Sequence, residues 1–202
     1  MHVEQNGVGE RTHVVEALFG AGRDARVFLY ISIGTGIASC LVIDGQPFAG
    51  ARGATGTMAS GPLPAFHEAG PKPPSPALEQ LATGPAIVSR FNALHGDAQT
   101  GHDVLAAAAN GNEQAAMVVR SAAQVLGGSI GWLVNVLDPE RVILGGGLGL
   151  SEGLFREMLI SSARAHIWWE GHRALPIVPA ATSADAGLIG AAATAWKHFS
   201  GA

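Results

Sequence analysis

Residues 26–52 read RVFLYISIGTGIASCLVIDGQPFAGAR, a pattern that few folds accommodate. An apolar run rich in β-formers, Val27 to Ile33, breaks at Gly34-Thr35-Gly36. A second run, Ile37 to Ile43, follows and ends at Asp44-Gly45 before a short third run. Aspartate-glycine between apolar runs predicts a hairpin, because both central residues of a type I′ turn need positive φ. Gly-Thr-Gly suits another task. Two residues without Cβ let backbone amides approach a phosphate closely, and the threonine adds a hydroxyl donor. Together these pieces predict half of a nucleotide-binding lobe, although Gly-Thr-Gly alone is equally the sequence of a plain tight hairpin.

Upstream, Thr12 could cap a short helix through Phe19, stopped by Gly20 and Gly22. Downstream, glycines and prolines crowd the stretch from Gly50 to Pro76 and predict a long irregular segment. Helices are then expected from Pro76 to Leu81, from Thr83-Gly84-Pro85 onward, and from His102 to Ala109. The longest runs from about Asn112 to Leu137, with Val118, Ala122, Val125, Ile130 and Leu133 on its apolar side. Gly127, Gly128 and Gly131 cost it propensity and mark places where a neighbour packs on bare backbone. Asp138-Pro139 ends it. A short buried strand, Arg141 to Leu144, empties into Gly145-Gly146-Gly147. Ser151 is expected to cap a helix through Ala165. Leu175 to Val178 reads as a strand and Ala184 to His198 as a final helix. Antiparallel strands followed by alternating helix and strand predict a mixed α/β lobe.

Composition narrows the function. A net charge of −4 and no Lys/Arg cluster in 202 residues argue against a nucleic-acid surface. No apolar run approaches the roughly 18 to 20 residues that span a bilayer, and the start has no secretory signal pattern. A cytoplasmic location is the default expectation. One cysteine, Cys40, excludes an internal disulfide or multi-thiolate zinc site, and its strand context reads as small core packing. The eight histidines show no metal-binding spacing. His166 with Trp168-Trp169 reads as a hydrophobic cluster or subunit contact, or as the wall of a small-molecule pocket. Asp185, beside Ser183 at a helix start, reads as a cap.

A strand that runs into a glycine turn before a helix, as Val142 to Leu148 does, is where α/β sheets hold nucleotides, though alone it is also an ordinary strand-to-helix loop. Taken with Gly20-Ala21-Gly22-Arg23, the IGTGI of residues 33–37, DGQPFAGARGATG of 44–56, LEQLATGPAI of 78–87, NVLDPERVILGGGL of 135–148 and SADAGLIGAA of 183–192, the chain resembles the ROK family of sugar kinases and related repressors. The resemblance implies an actin-like ATPase (ribonuclease H-like) α/β lobe, a mixed sheet flanked by helices. It implies phosphate binding by Gly34, Thr35 and Gly36, adenosine binding by Gly145, Gly146 and Gly147, and a sugar-side role for Glu79. ATP with Mg²⁺, a hexose or amino sugar, and a homodimer are the implied ligands and assembly. The implied division is residues 1–25 as an interlobe remnant, 26–183 as the large C-terminal lobe, and 184–202 as a helix that packs on an N-terminal lobe missing here.

Departures from the family pattern are as specific. No Asp-x-Gly-Gly-Thr phosphate loop occurs. Where the family places the Asn-Asp whose aspartate is the general base, Val3 to Glu10 holds no aspartate, and Asn6 or Val8 falls at the position. Neither an amide nor an alkyl group takes a proton from a hydroxyl. Glu4 and Glu10 read as solvated surface carboxylates. The family's Glu-x-Gly-His is Thr57-Met58-Ala59-Ser60, and the zinc cysteines are absent, so no zinc, no metal ligand and no catalytic residue are assigned. The expectation is a truncated or degenerate sugar kinase, inactive alone. The alternatives are a non-catalytic nucleotide- or sugar-binding module and the effector half of a repressor.

Overall fold

The computed structural model describes residue 16 and residues 20–63 and 76–181. The Thr12 to Phe19 helix (Glu16 apart), residues 64–75 of the irregular segment after Gly50 and the final helix from Ala184 lie outside these residues.

Five strands form one sheet in the order β3-β2-β1-β4-β5: β1 (Val27–Ile33), β2 (Ile37–Ile43), β3 (Gln46–Pro47), β4 (Arg141–Gly145) and β5 (Ile177–Pro179). β1 pairs antiparallel with β2 and parallel with β4, so the sheet is mixed. The Asp-Gly turn behaves as its chemistry requires. Asp44 and Gly45 adopt φ of 50° and 73°, the double positive φ of a type I′ turn. Being central, β1 is buried on both faces, which is why its sequence is apolar except at Ser32, near the strand's end. Leu29, Ile31 and Ile33 join the main core, whereas Phe28 and Tyr30 pack on the other face with Val42 and Ile143. Cys40 is only half-buried at the edge of that smaller cluster, because β2 has a single strand beyond it, β3, two residues long.

Seven helices are described: α1 (Glu79–Ala82), α2 (Gly84–Asn92), α3 (Gly101–Ala109), α4 (Glu113–Leu137), α5 (Gly146–Gly149), α6 (Leu154–His166) and α7 (Glu170–Arg173). The 25-residue α4 is capped by Asn112, whose side chain accepts from the Ala115 amide, and ends at Asp138 in the left-handed region. It is long and apolar enough to cross a membrane, but half of its most apolar window is buried inside the fold, as in a core helix. Its glycines are where α6 approaches. A Cβ on Gly127 would lie 2.3 Å from the Leu159 carbonyl oxygen, and one on Gly131 2.5 Å from that of Ala163. Arg90 of α2 links α1 and α4, donating to the Leu81 carbonyl at 2.8 Å and to the Ser121 hydroxyl at 2.5 Å.

Three expectations need correction. Ser151 does not cap α6: its hydroxyl donates back to the Leu148 carbonyl at 2.6 Å, and the helix starts after Gly153, whose φ of 80° turns the chain. β5 begins at Ile177 instead of Leu175, because Leu175 closes the turn after α7 with a bond to the His172 carbonyl and the β4 register opens at Val142↔Ile177. Trp168 and Trp169 stand 83% and 57% exposed, which removes a packed hydrophobic cluster from their readings and leaves the subunit contact or the pocket wall.

Candidate functional site

Parallel pairing of β1 with β4 sets Ser32 opposite Gly145, so both strands leave the sheet at the same end, side by side. Gly34-Thr35-Gly36 follows one and Gly146-Gly147 the other. The two glycine runs, far apart in sequence, are therefore neighbours at the carboxyl ends of adjacent strands, where open α/β sheets bind ligands. They touch. Gly146 has φ of 77°, and a Cβ on it would lie 2.5 Å from the Ile33 carbonyl oxygen, so only glycine lets the second turn close on the first. Gly145 likewise leaves room for the Tyr30 hydroxyl.

In the first turn the Gly34 amide donates to the Gly36 carbonyl at 2.9 Å. Thr35 and Gly36 stand exposed, and no described residue bonds the Thr35 hydroxyl. The turn is braced from behind by α2. Its first amide, Gly84, donates to the Gly34 carbonyl at 2.8 Å; Pro85 has no amide, and the Ala86 amide is taken by the capping Thr83 hydroxyl at 3.2 Å. All three leading positions of α2 are thus used internally, so this helix holds the turn in place and leaves ligand contacts to the turn. The start of α3 stacks alongside: a Cβ on Gly101 would meet Gly84 Cα at 3.2 Å and Leu148 Cδ2 at 3.4 Å. A capping box fixes that start. The Asp103 amide donates to the Thr100 hydroxyl, and the Asp103 carboxylate accepts from the Thr100 amide at 2.7 Å. Those hydrogen bonds hold the Asp103 carboxyl below its ordinary pKa, the Thr100 amide contributing most.

Glu79 is half-buried at the first residue of α1. Its amide donates to the Ala59 carbonyl at 3.2 Å, and its Oε1 accepts from the Ile37 amide at 3.2 Å. Thr57-Met58-Ala59-Ser60 is thereby drawn beside Glu79, which is itself tied to the strand leaving the Gly34-Thr35-Gly36 turn. The expected site residues Gly34, Thr35, Gly36, Glu79, Gly145, Gly146 and Gly147 all fall at this one end of the sheet. Thr83, Gly84, Gly101 and His102 join them, although in the sequence they look like ordinary helix starts. Their signal was Thr-Gly repeated at 83–84 and 100–101, a cap followed by a residue with no Cβ. Among the described residues no group of three or more His, Cys, Asp or Glu side chains converges.

Comparison with known proteins follows this geometry. The family model described as "ROK family" matches residues 11–198. A bifunctional enzyme NanE/NanK from Brucella melitensis is 34% identical over 185 residues, covering 92% of this chain and 33% of that protein. An N-acetylmannosamine kinase from Citrobacter koseri is 32% identical over 177 residues, covering 84% of this chain and 57% of the kinase. Among solved structures, the ROK hexokinase from Thermus thermophilus superposes with a TM-score of 0.77 at 29% identity, over 92% of this chain and 62% of that one. The chain thus spans between a third and about three fifths of the length of these relatives.

Proposed function

The chain belongs to the ROK family, and from that premise we propose that it forms the nucleotide-binding lobe of an ATP-dependent sugar kinase. The observation that carries the reading is the closure of the Gly146 turn on Ile33, which makes one cradle from two glycine runs. The residues present fit a nucleotide. Gly34, Thr35 and Gly36 would receive its phosphates through backbone amides and the Thr35 hydroxyl, while Gly145, Gly146 and Gly147 would lie against the nucleoside. ATP supplies the transferable phosphoryl group, and Mg²⁺ would be carried on its phosphates. Glu79, beside residues 57–60, would face the sugar, which we take to be a hexose or amino sugar; the Citrobacter koseri relative acts on N-acetylmannosamine.

Within this reading the chain by itself transfers no phosphate at a useful rate. Thr57 and Ser60 stand where the family resemblance calls for glutamate and histidine, and residues 3–10 offer no aspartate for proton abstraction. General-base catalysis contributes about 10²–10⁴-fold, and lost positioning can remove as much again. A homodimer is also part of the proposal, supported by the exposed Trp132, Val136, Trp168 and Trp169. Light scattering that returns a monomer at working concentration would remove it.

Calorimetric titration with Mg-ATP, alone and with N-acetylmannosamine, tests the core of the reading. Micromolar-range binding of Mg-ATP, with sugar phosphate at the no-protein level, is the expected result. No heat from a folded sample contradicts the nucleotide site, and sugar phosphate above the control contradicts the lack of turnover.

A further inference from the structure

We propose that His102 is a nucleotide-positioning residue whose imidazole nitrogen hydrogen-bonds the nucleoside held against Gly147. The inference rests on the nucleotide site proposed above and adds a side chain to it. A turn of bare glycine backbone gives a nucleoside room but little to recognise. Gly147 is exposed, and among the described residues, outside its own chain neighbours and helix backbone, the one heavy atom within 4 Å of a Cβ built on it is His102 Nε2, at 3.3 Å. The ring therefore borders the turn with a nitrogen edge towards it. No described residue bonds that imidazole, and the residue is exposed, so its donor and acceptor are available.

Position on the helix strengthens the case. Thr100 is the N-cap of α3, which places His102 second in the first turn, with its backbone fixed by the Thr100–Asp103 capping box. The imidazole is not what this helix start selects for, since the positive end of the dipole stabilises carboxylates. It also contributes nothing to the core, since its neighbour Val104 is the buried residue of α3. What the position does provide is a rigid mount next to the glycine turn, because Gly101 is wedged between Gly84 and Leu148. An exposed side chain outside the core, held on a fixed backbone at the edge of the cradle, is suited to meeting a ligand.

Calorimetry of the purified chain with Mg-ATP and with Mg-tripolyphosphate separates the nucleoside contact from the phosphate contact. Loss of one hydrogen bond is expected to weaken Mg-ATP binding by about three- to tenfold in His102→Ala. Tripolyphosphate binding and thermal midpoint stay at the wild-type values. His102→Phe, which keeps a ring without its nitrogens, is expected to behave like His102→Ala. Equal ATP affinity in His102→Ala and wild type, an equal loss for both ligands, or full affinity in His102→Phe each overturns the assignment. A wild-type chain that binds tripolyphosphate as tightly as ATP overturns it too and leaves the phosphate turn standing. A wild-type chain that binds neither removes the nucleotide site itself.

Discussion

The Glu79 carboxylate accepts a hydrogen bond from the Ile37 amide at 3.2 Å, across 42 residues of chain. Glu79 is the acid proposed to face the sugar, and Ile37 is the first residue after the proposed phosphate turn, so the two proposed half-sites share one bond. Replacing Glu79 with glutamine keeps an acceptor for that amide, whereas alanine removes it. Glu79→Ala is expected to cost about 1–3 kcal/mol of stability by chemical denaturation, and Glu79→Gln less than half as much. Equal losses would show that the bond contributes nothing.

Gly146→Ala should be far more damaging to binding than its single methyl suggests. The substitution combines positive φ with a Cβ 2.5 Å from the Ile33 carbonyl oxygen, a backbone atom that cannot rotate away. A cost of roughly 1–3 kcal/mol or more in stability is expected, with Mg-ATP binding abolished. Wild-type affinity in a calorimetric titration of this variant would mean that the turns are not coupled.

Gly127→Ala and Gly131→Ala set two effects against each other. Alanine improves helix propensity by about 1 kcal/mol. The new Cβ atoms, however, would fall 2.3 Å and 2.5 Å from carbonyl oxygens of α6, so the helices must separate. Overpacking of about 1–3 kcal/mol outweighs propensity, and net destabilisation is expected in urea unfolding. A stabilised variant would show that α4 and α6 yield easily.

Acid should loosen the start of α3. Its Asp103 carboxyl is held below the ordinary range by the Thr100 and Gln99 hydrogen bonds. A carboxyl with a depressed folded pKa gives its full stabilisation above the unfolded value, about 3.9, and loses it as pH falls through the folded value. The thermal midpoint of the wild type is expected to fall more steeply than that of Asp103→Asn as pH drops below about 4. Parallel profiles would assign the acid response elsewhere.

Local signals made much of this fold legible in the sequence. Asp44-Gly45, the apolar run of β1 and the repeat in α4 each report on their own neighbourhood, and each element stands where expected. Gly127 and Gly131 were also readable as contact points, since glycine in a helix interior needs a packing reason. Ser151 misled because a cap is decided by where the backbone turns, and that turn is made by Gly153 at φ of 80°. The site was legible only in halves. Nothing local announces that Gly84 donates to Gly34, that Gly101 stacks on Gly84, or that His102 reaches the Gly147 turn; these follow from the order of strands in the sheet.

Backbone amide shifts in the isotopically labelled chain, followed during Mg-ATP titration, test the shared cradle most directly. The amides of Thr35 and Gly36 and those of Gly146 and Gly147 are expected to move together, with one common midpoint. Movement of one run without the other, or of neither in a folded sample, would contradict a single nucleotide site built from both turns.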